Sequence, residues 1–159
     1  MAVGFEPHDH VCCIDDALSI AEQRCNANRL QLTPVRRRVL EILLQEHVAL
    51  GAYDILERLR LEGLGSQPPV AYRALDFLVT NGFVHKVERL NAFIACSHPG
   101  QAHSPAFMIC RRCETIAETR SMPARGALGA AARTAGFSIE RTVVEAEGLC
   151  PACQNTANE

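Results

Sequence analysis

The sequence predicts an α+β protein of two parts: an N-terminal winged helix-turn-helix domain and a small C-terminal α/β domain that a four-cysteine zinc site holds together. Three observations predict it. Four helical patterns precede two short β-like runs within residues 15–96, which is the order of elements in a winged helix. Residues 97–105 contain two prolines and one glycine and are typical of a hinge. Two Cys-x-x-Cys pairs then follow within residues 106–153.

The composition limits the class of protein. The 159 residues are enough for one ordinary domain or two small ones. No run of about 18 apolar residues occurs, and the N-terminus has no basic stretch followed by an apolar one, so we expect no membrane span and no signal peptide. We therefore expect a cytoplasmic protein whose eight cysteines are thiols or metal ligands rather than disulfides.

The charge does not by itself indicate a nucleic-acid partner, because the net charge is −2 at pH 7. Phosphate contacts would need a local cluster of cations. One candidate cluster lies around the start of the second predicted helix, and its alternative interpretation is a solvated helix face. The cluster consists of Arg29, Arg36, Arg37 and Arg38.

The helices of the first domain are predicted from start signals, stop signals and apolar spacing. Residues 1–14 are predicted to be a flexible N-terminus. Thr33-Pro34 is a strong start signal, since a capping hydroxyl is followed by proline at the first helical position. The predicted helices run from Asp15 or Asp16 to about Asn28, from Pro34 to near His47, from Ala52 to Glu62 and from Pro69 to Asn81.

The last of these helices is the candidate recognition helix, and the runs Phe83–Val87 and Ala92–Cys96 are its candidate wing. The apolar face of the helix leaves Tyr72 and Arg73 pointing elsewhere. Arginine can hydrogen-bond guanine or phosphate, and tyrosine can contact phosphate or a thymine methyl group. The alternative is that Tyr72 packs against the wing and that Arg73 is a surface charge.

The second domain is predicted as a β-β-α-β unit. A unit of about 55 residues buries too little apolar surface to be very stable alone, so a staple or a partner chain is expected. The tail, residues 154–159, is predicted to be flexible. The predicted elements are strands Ala106–Ile109 and Thr115–Glu118, a helix from Ser121-Met122-Pro123 to about Ala135, and a strand Phe137–Glu147.

Two Cys-x-x-Cys turns are the strongest chemical signal in the chain: Cys110 with Cys113, and Cys150 with Cys153. Each pair can chelate one ion, and two pairs complete the tetrahedral thiolate site that suits Zn²⁺. Such sites contribute on the order of 10–16 kcal/mol in small peptides, enough to hold the second domain. The alternative is two redox dithiols, which the lack of a surrounding βαβ pattern disfavours.

A second set of possible ligands lies on both sides of the hinge: His85, Cys96, His103 and Glu118. Imidazole, thiolate and carboxylate groups together can bind Zn²⁺, more weakly than four thiolates. His98 competes with His103 as the second imidazole. In the alternative interpretation His85 is a surface residue, Cys96 a buried thiol and Glu118 a solvated charge.

Taken together, these segments resemble the ferric uptake regulator family, in particular its zinc uptake regulator branch. The likeness covers about residues 15–153, and motifs from both halves occur in the family's order. One departure is Val70-Ala71, where the family usually has Thr or Ser followed by Val. The segments are L-T-P-V-R at 32–36, A-Y-D-I-L at 52–56, P-P-V-A-Y-R-A-L-D-F-L at 68–78, G-F-V-H-K-V-E at 82–88, C-R-R-C at 110–113 and G-L-C-P-A-C at 148–153.

The resemblance implies a homodimeric, zinc-loaded repressor that binds palindromic operators of zinc-uptake genes and has no catalytic residue and no small-molecule substrate. It implies that the α/β domain is the dimerisation domain and that each chain holds two zinc ions. The four cysteines of the two pairs match the family's structural site, and His85, Cys96, His103 and Glu118 match its regulatory site. The positions that match family DNA contacts are Tyr53, Tyr72 and Arg73.

Two other classes of function stay open at this point. One is an iron or peroxide sensor of the same family, against which Cys96 argues as a ligand. The other is a zinc or dithiol enzyme. Zinc deaminases need an H-x-E sequence upstream of P-C-x-x-C, and no H-x-E occurs in this chain.

Overall fold

The structure is a computed structural model that describes residue 5 and residues 10–46, 48–122 and 125–155, with the side chains of residues 10–12 excepted. The chain divides into two compact units. We call residues 6–101 the helical unit, and the other, made chiefly of residues 102–159, the sheet unit. The division falls inside the segment 97–105 that the sequence predicts as a hinge. Of the predicted flexible ends, residues 1–14 and 154–159, most lie outside the described residues.

The helical unit has the predicted order of four helices and a hairpin. A short 3₁₀ turn, Glu88–Leu90, joins the two strands, and Asn91 follows it with φ of +46°. The strands pair antiparallel from Val84 with Ala95 to Val87 with Ala92. The elements are α1 His10–Ala27, α2 Pro34–Leu44, α3 Ala52–Leu61, α4 Pro68–Thr80, β1 Val84–Val87 and β2 Ala92–Ala95.

The first helix begins earlier than the sequence predicts. It starts at His10 rather than at Asp15 or Asp16, so residues 10–14 are helical. Ile14 explains the extension: it lies one turn before Leu18 and packs against the same core. Burial of that side chain extends the helix although no capping residue marks its start.

The second helix begins where the sequence predicts. Thr33 is in an extended conformation, its hydroxyl accepts a hydrogen bond from the Arg36 N–H at 3.4 Å, and Pro34 opens the helix. The helix ends at Leu44, and His47, its predicted end, lies outside the described residues. Beyond it, Leu50 bridges to Phe93 in β2 through two backbone hydrogen bonds of 2.9 and 2.8 Å. This bridge ties the wing to the helices.

The sheet unit has the predicted β-β-α-β order. Its three strands lie in the order β4-β3-β5, with β3 antiparallel to β4 and parallel to β5. The crossover from β4 to β5 includes α5. The elements are β3 Ser104–Cys110, β4 Ile116–Ser121, α5 Ala127–Ala135, β5 Val144–Gly148 and α6 Pro151–Asn155.

Several boundaries in the sheet unit differ from prediction. Ser121 ends β4, where it pairs with Ser104, instead of starting a helix, and α5 begins only at Ala127. The predicted strand Phe137–Glu147 is replaced by the shorter β5, whose pairing with β3 begins at Val144 opposite Ala106. The second Cys-x-x-Cys leads into α6, which begins at Pro151, rather than forming an isolated turn, and α6 also includes residues 154 and 155 of the predicted tail. In the described part of the chain, no helix is long and apolar enough to cross a bilayer.

Candidate metal centres and candidate DNA-facing surface

The four cysteines of the two Cys-x-x-Cys pairs come together at one edge of the sheet. Cys110 ends β3 and pairs with Gly148, the last residue of the parallel strand β5. Parallel strands bring their C-terminal ends to the same edge, so the residues that follow each strand meet there. Cys113 lies in the turn after β3, Cys150 lies just before α6, and Cys153 lies within it. We call these four residues the four-cysteine centre.

The spacing of these sulfurs fits one tetrahedral ion. All four Sγ atoms lie within 4.8 Å of one another, and those of Cys113 and Cys150 are 3.6 Å apart. Zinc–sulfur bonds of about 2.3 Å place neighbouring sulfurs about 3.8 Å apart. The turn is closed by a hydrogen bond from the Glu114 N–H to the Cys110 carbonyl at 2.9 Å, with Glu114 at φ of +62°. The predicted four-cysteine centre is therefore formed by the fold.

The electrostatics of this cluster favour a cation. Backbone N–H groups of Cys113 and Cys150 lower the pKa of Cys110 to about 6, and the Cys150 N–H lies 3.4 Å from that sulfur. The Thr115 hydroxyl lowers the pKa of Cys113. Desolvation, followed by hydrogen bonding to the other cluster sulfurs, raises the pKa of Cys153 to about 12. Sulfurs that share negative charge so closely need a divalent cation before the last of them ionises near neutral pH.

The sheet unit supplies two members of the second predicted set. Glu118 lies in the middle of β4, and His103 directly precedes β3. His103 Nε2 and Glu118 Oε1 are 2.7 Å apart, and the two side chains are only 6% and 1% exposed. A carboxylate buried to this degree requires a hydrogen-bond partner or a metal ion. The imidazole nitrogen and the carboxylate oxygen need to move apart only slightly to act as ligands of one zinc ion.

The helical unit supplies the other two members. His85 lies on β1 opposite Ile94, and Cys96 directly follows β2 and is buried. The Cys96 N–H donates to the Phe83 carbonyl at 2.9 Å. The His98 N–H lies 3.4 Å from the Cys96 sulfur, so the structure gives His98 a backbone role beside that thiol. That His85, Cys96, His103 and Glu118 bind one ion stays a prediction, as does the choice of His103 over His98.

The three candidate DNA contacts lie on exposed parts of the helical unit. Tyr72 and Arg73 are in the first half of α4, and Tyr72 is 44% exposed. Arg73 makes no hydrogen bond or ion pair with another described residue. Tyr53 is in the first turn of α3 and is 68% exposed. These side chains are available to a partner, and their contact with DNA stays a prediction.

Two of the four arginines in the candidate basic cluster are paired with carboxylates. Arg37 pairs with Glu22 and Glu41, and Arg38 pairs with Glu41 and Glu62. Arg36 stacks on the Phe77 ring, with its guanidinium carbon 3.8 Å from the ring centroid. The alternative interpretation, a helix face whose charges are satisfied locally, describes these three arginines better than a phosphate-binding patch.

The fold and the four-cysteine centre place this protein in the class of winged-helix regulators with a metal-binding α/β domain. A scan against models of protein families matched none. The zinc uptake regulation protein of Escherichia coli K12 is 39% identical over 139 residues, 87% of this chain and 81% of that protein, and the same values hold for that of Shigella flexneri. The chain belongs to the zinc uptake regulator branch of the ferric uptake regulator family, as its motifs indicate.

Solved structures agree with this assignment. A zinc uptake regulator complexed with zinc and DNA matches 92% of this chain and 98% of its own, with a TM-score of 0.86 and 37% identity. Holo XcZur matches 87% of this chain and 96% of its own, with a TM-score of 0.78 and 40% identity. The Helicobacter pylori ferric uptake regulator, at 16% identity and a TM-score of 0.54, shares the fold.

Proposed function

We propose that this chain is a zinc-responsive, DNA-binding repressor of zinc-uptake genes that binds palindromic operators in the cytoplasm as a zinc-loaded homodimer. The observation that carries the proposal is its likeness, over most of both chains, to a zinc uptake regulator solved with zinc and DNA. The proposed activity is binding alone, so the protein is not an enzyme and has no small-molecule substrate.

In this proposal α4 enters the major groove of the operator. The Arg73 guanidinium can donate two hydrogen bonds to guanine or reach a phosphate, and Tyr72 beside it can contact the backbone or a thymine methyl group. Tyr53, at the start of α3, contacts a phosphate. Two half-sites about 34 Å apart, or a multiple of that distance, match the two-fold symmetry of a dimer.

Two zinc ions per chain have different roles in this proposal. The four-cysteine centre holds a structural ion. His85, Cys96, His103 and Glu118 hold the regulatory ion, which joins donors of the helical unit to donors of the sheet unit. The regulatory site has one thiolate, and its imidazoles must be neutral to bind, so its affinity is lower and falls as the pH falls. The site can then empty when zinc is scarce.

Exposed apolar side chains on the sheet unit support the homodimer. Phe137 is 68% exposed, an unusual state for phenylalanine, and β5 is an edge strand of the three-stranded sheet. A second copy can cover apolar surface and strand edge together. The other exposed apolar side chains of this unit are Met122, Leu128 and Val143.

Zinc acts on DNA binding in this proposal by restricting the helical unit. When ligands from the helical unit and the sheet unit bind the same ion, the spacing of the two recognition helices of the dimer is fixed. Without zinc, the helical units sample orientations that cannot reach both half-sites. Moving such an equilibrium from 1:99 to 99:1 requires about 5.5 kcal/mol of preference for the competent state. The free energy with which one regulatory zinc ion binds to each chain is large enough to supply this preference.

The Cys96→Ser variant tests the regulatory assignment. An operator is first selected from random duplex DNA by the zinc-loaded protein, and binding is then followed by fluorescence anisotropy at controlled free zinc. We expect Cys96→Ser to keep its structural zinc and to lose zinc-dependent binding by about 100-fold or more. Cys13→Ser, which changes an exposed thiol, is the matched control and should behave as wild type.

Zinc-dependent operator binding that survives Cys96→Ser would remove Cys96 from the regulatory site. Metal analysis of the protein purified from cells separates zinc sensing from iron sensing, because the proposal requires zinc in both sites. Iron in the site that Cys96→Ser empties would point to the iron or peroxide sensors of the family instead.

A further inference from the structure

Arg24, in the last turn of α1, contacts two separate segments of the helical unit. Its guanidinium carbon lies 5.1 Å from the centroid of the Phe83 ring, a cation–π contact. The methylene part of the same side chain runs beside Gly100, where an added Cβ would lie 3.6 Å from Arg24 Cδ. Arg24 therefore holds the chain just before β1 and the loop after β2 at the same time.

These two segments flank the donors that the helical unit offers to the regulatory ion. Phe83 comes two residues before His85, and its carbonyl accepts the Cys96 N–H at 2.9 Å. On the other side of Cys96, the His98 N–H lies 3.4 Å from the Cys96 sulfur within the loop that ends at Gly100. The residue that accepts the Cys96 N–H and the loop that follows Cys96 thus both contact Arg24.

Gly100 allows the backbone turn that places this loop on α1. Its φ is +92°, a backbone conformation that residues other than glycine rarely adopt. An added Cβ would also lie 3.8 Å from Ile20 Cγ2, so the loop packs against two turns of α1. The loop that carries His98 is therefore fitted to the surface of α1 by a glycine and one long side chain.

We propose that Arg24 is a positioning residue for the regulatory zinc site and that α1 is, through it, part of the sensor. The inference rests on the proposed function, because it assumes that Cys96 and His85 bind the regulatory ion. Arg24 itself touches no ion. It holds Phe83 and the 97–100 loop in the arrangement that directs the Cys96 thiol, so less ordering remains to be done when zinc binds.

The test is the affinity of the regulatory site, measured by competition with a chromophoric chelator in protein whose structural zinc is already bound. We expect Arg24→Ala to weaken this site about three- to tenfold. Arg24→Lys keeps the methylene stem and a cation over the ring, so it should recover most of the affinity. Gln23→Ala, an exposed neighbour in the same turn of α1, is the matched control and should have no effect.

A second readout reports on Cys96 directly. With cobalt in the regulatory site, the thiolate-to-cobalt charge-transfer band should lose intensity in Arg24→Ala and return in Arg24→Lys. Gly100→Ala strains the backbone at φ of +92° and so disturbs the loop that contacts the same side chain. This substitution should also weaken zinc binding at the regulatory site. The loss of affinity in the double variant with Arg24→Ala should be smaller than the sum of the two single losses, because both changes affect the same contact.

Wild-type affinity in Arg24→Ala, an equal loss in Gln23→Ala, or no recovery in Arg24→Lys would each overturn the positioning role. Should Arg24→Ala fold too poorly to titrate, wild-type affinity in Gly100→Ala would overturn it instead. Cys96→Ser separates this failure from failure of the proposed function. If Cys96→Ser binds two zinc ions with wild-type affinities, the regulatory assignment itself is wrong.

Discussion

The helical unit and the sheet unit are stabilised by different means. The helical unit buries large aliphatic side chains from four helices and the wing, among them Ile42, Leu59 and Leu75, all fully buried. The sheet unit buries few large side chains, exposes Phe137, and places Cys110 at the edge of its sheet. We therefore expect burial of apolar surface to be enough for the first unit, and we propose that the second depends on a metal ion and a partner chain.

The largest expected effect comes from removing the structural metal site. Cys150→Ser should abolish zinc binding at the four-cysteine centre and unfold the sheet unit, because the lost binding energy is on the order of 10 kcal/mol. Hydrogen–deuterium exchange should show lost protection in β3 and β4 while α2 and α4 stay protected. Cys13→Ser is the control. Equal protection from exchange in both units of Cys150→Ser would contradict the proposal that only the sheet unit depends on the metal ion.

The second prediction concerns the core of the helical unit. Leu75→Ala should lower its free energy of unfolding by about 2–5 kcal/mol, because the truncation leaves a cavity at a fully buried position. Urea denaturation followed by circular dichroism measures the loss. Leu61→Ala, at a side chain 72% exposed, should change the stability by about 0.5 kcal/mol or less. The structural zinc should stay bound in both variants, and its release from Leu75→Ala would show that the two units are not stabilised separately.

The third prediction compares two equally exposed aromatic residues, Phe137 of the sheet unit and Tyr53 of the helical unit, each 68% exposed. Phe137→Ser should weaken the homodimer about tenfold, since aromatic side chains contribute strongly to interfaces. Tyr53→Ser should leave the dimer intact and weaken operator binding. Sedimentation velocity measures the first effect and anisotropy the second. Loss of the dimer in Tyr53→Ser, together with weaker operator binding by an intact dimer in Phe137→Ser, would show that the two surfaces have been assigned wrongly.

The helices of the helical unit could be predicted from the sequence because their signals are local. Thr33 and Pro34 mark the start of α2, and Asn81 follows the end of α4. The extent of the strands could not be predicted in the same way. Ser121 is in a strand because Ser104 pairs with it, and β5 begins only at Val144, where β3 provides a partner. Pairing across the sheet overrides the local helix signal.

The clustering of the four cysteines could be predicted because the two members of each pair are only three residues apart. The partners of the arginines could not. Arg38 pairs with Glu62 of another element, and Arg24 stacks on Phe83, contacts that no local pattern encodes. The regulatory set follows no chelating motif of its own, so His85, Cys96, His103 and Glu118 are selected by their chemistry, their position around the hinge and the family resemblance.

The measurement that tests the central claim most directly is zinc content and operator binding of one sample during mild chelation. The account predicts two zinc ions per chain at the start, release of one, and loss of operator binding in step with that release, while the sheet unit stays folded. Operator binding that persists after the first ion has left, or release of both ions together with unfolding, would contradict it.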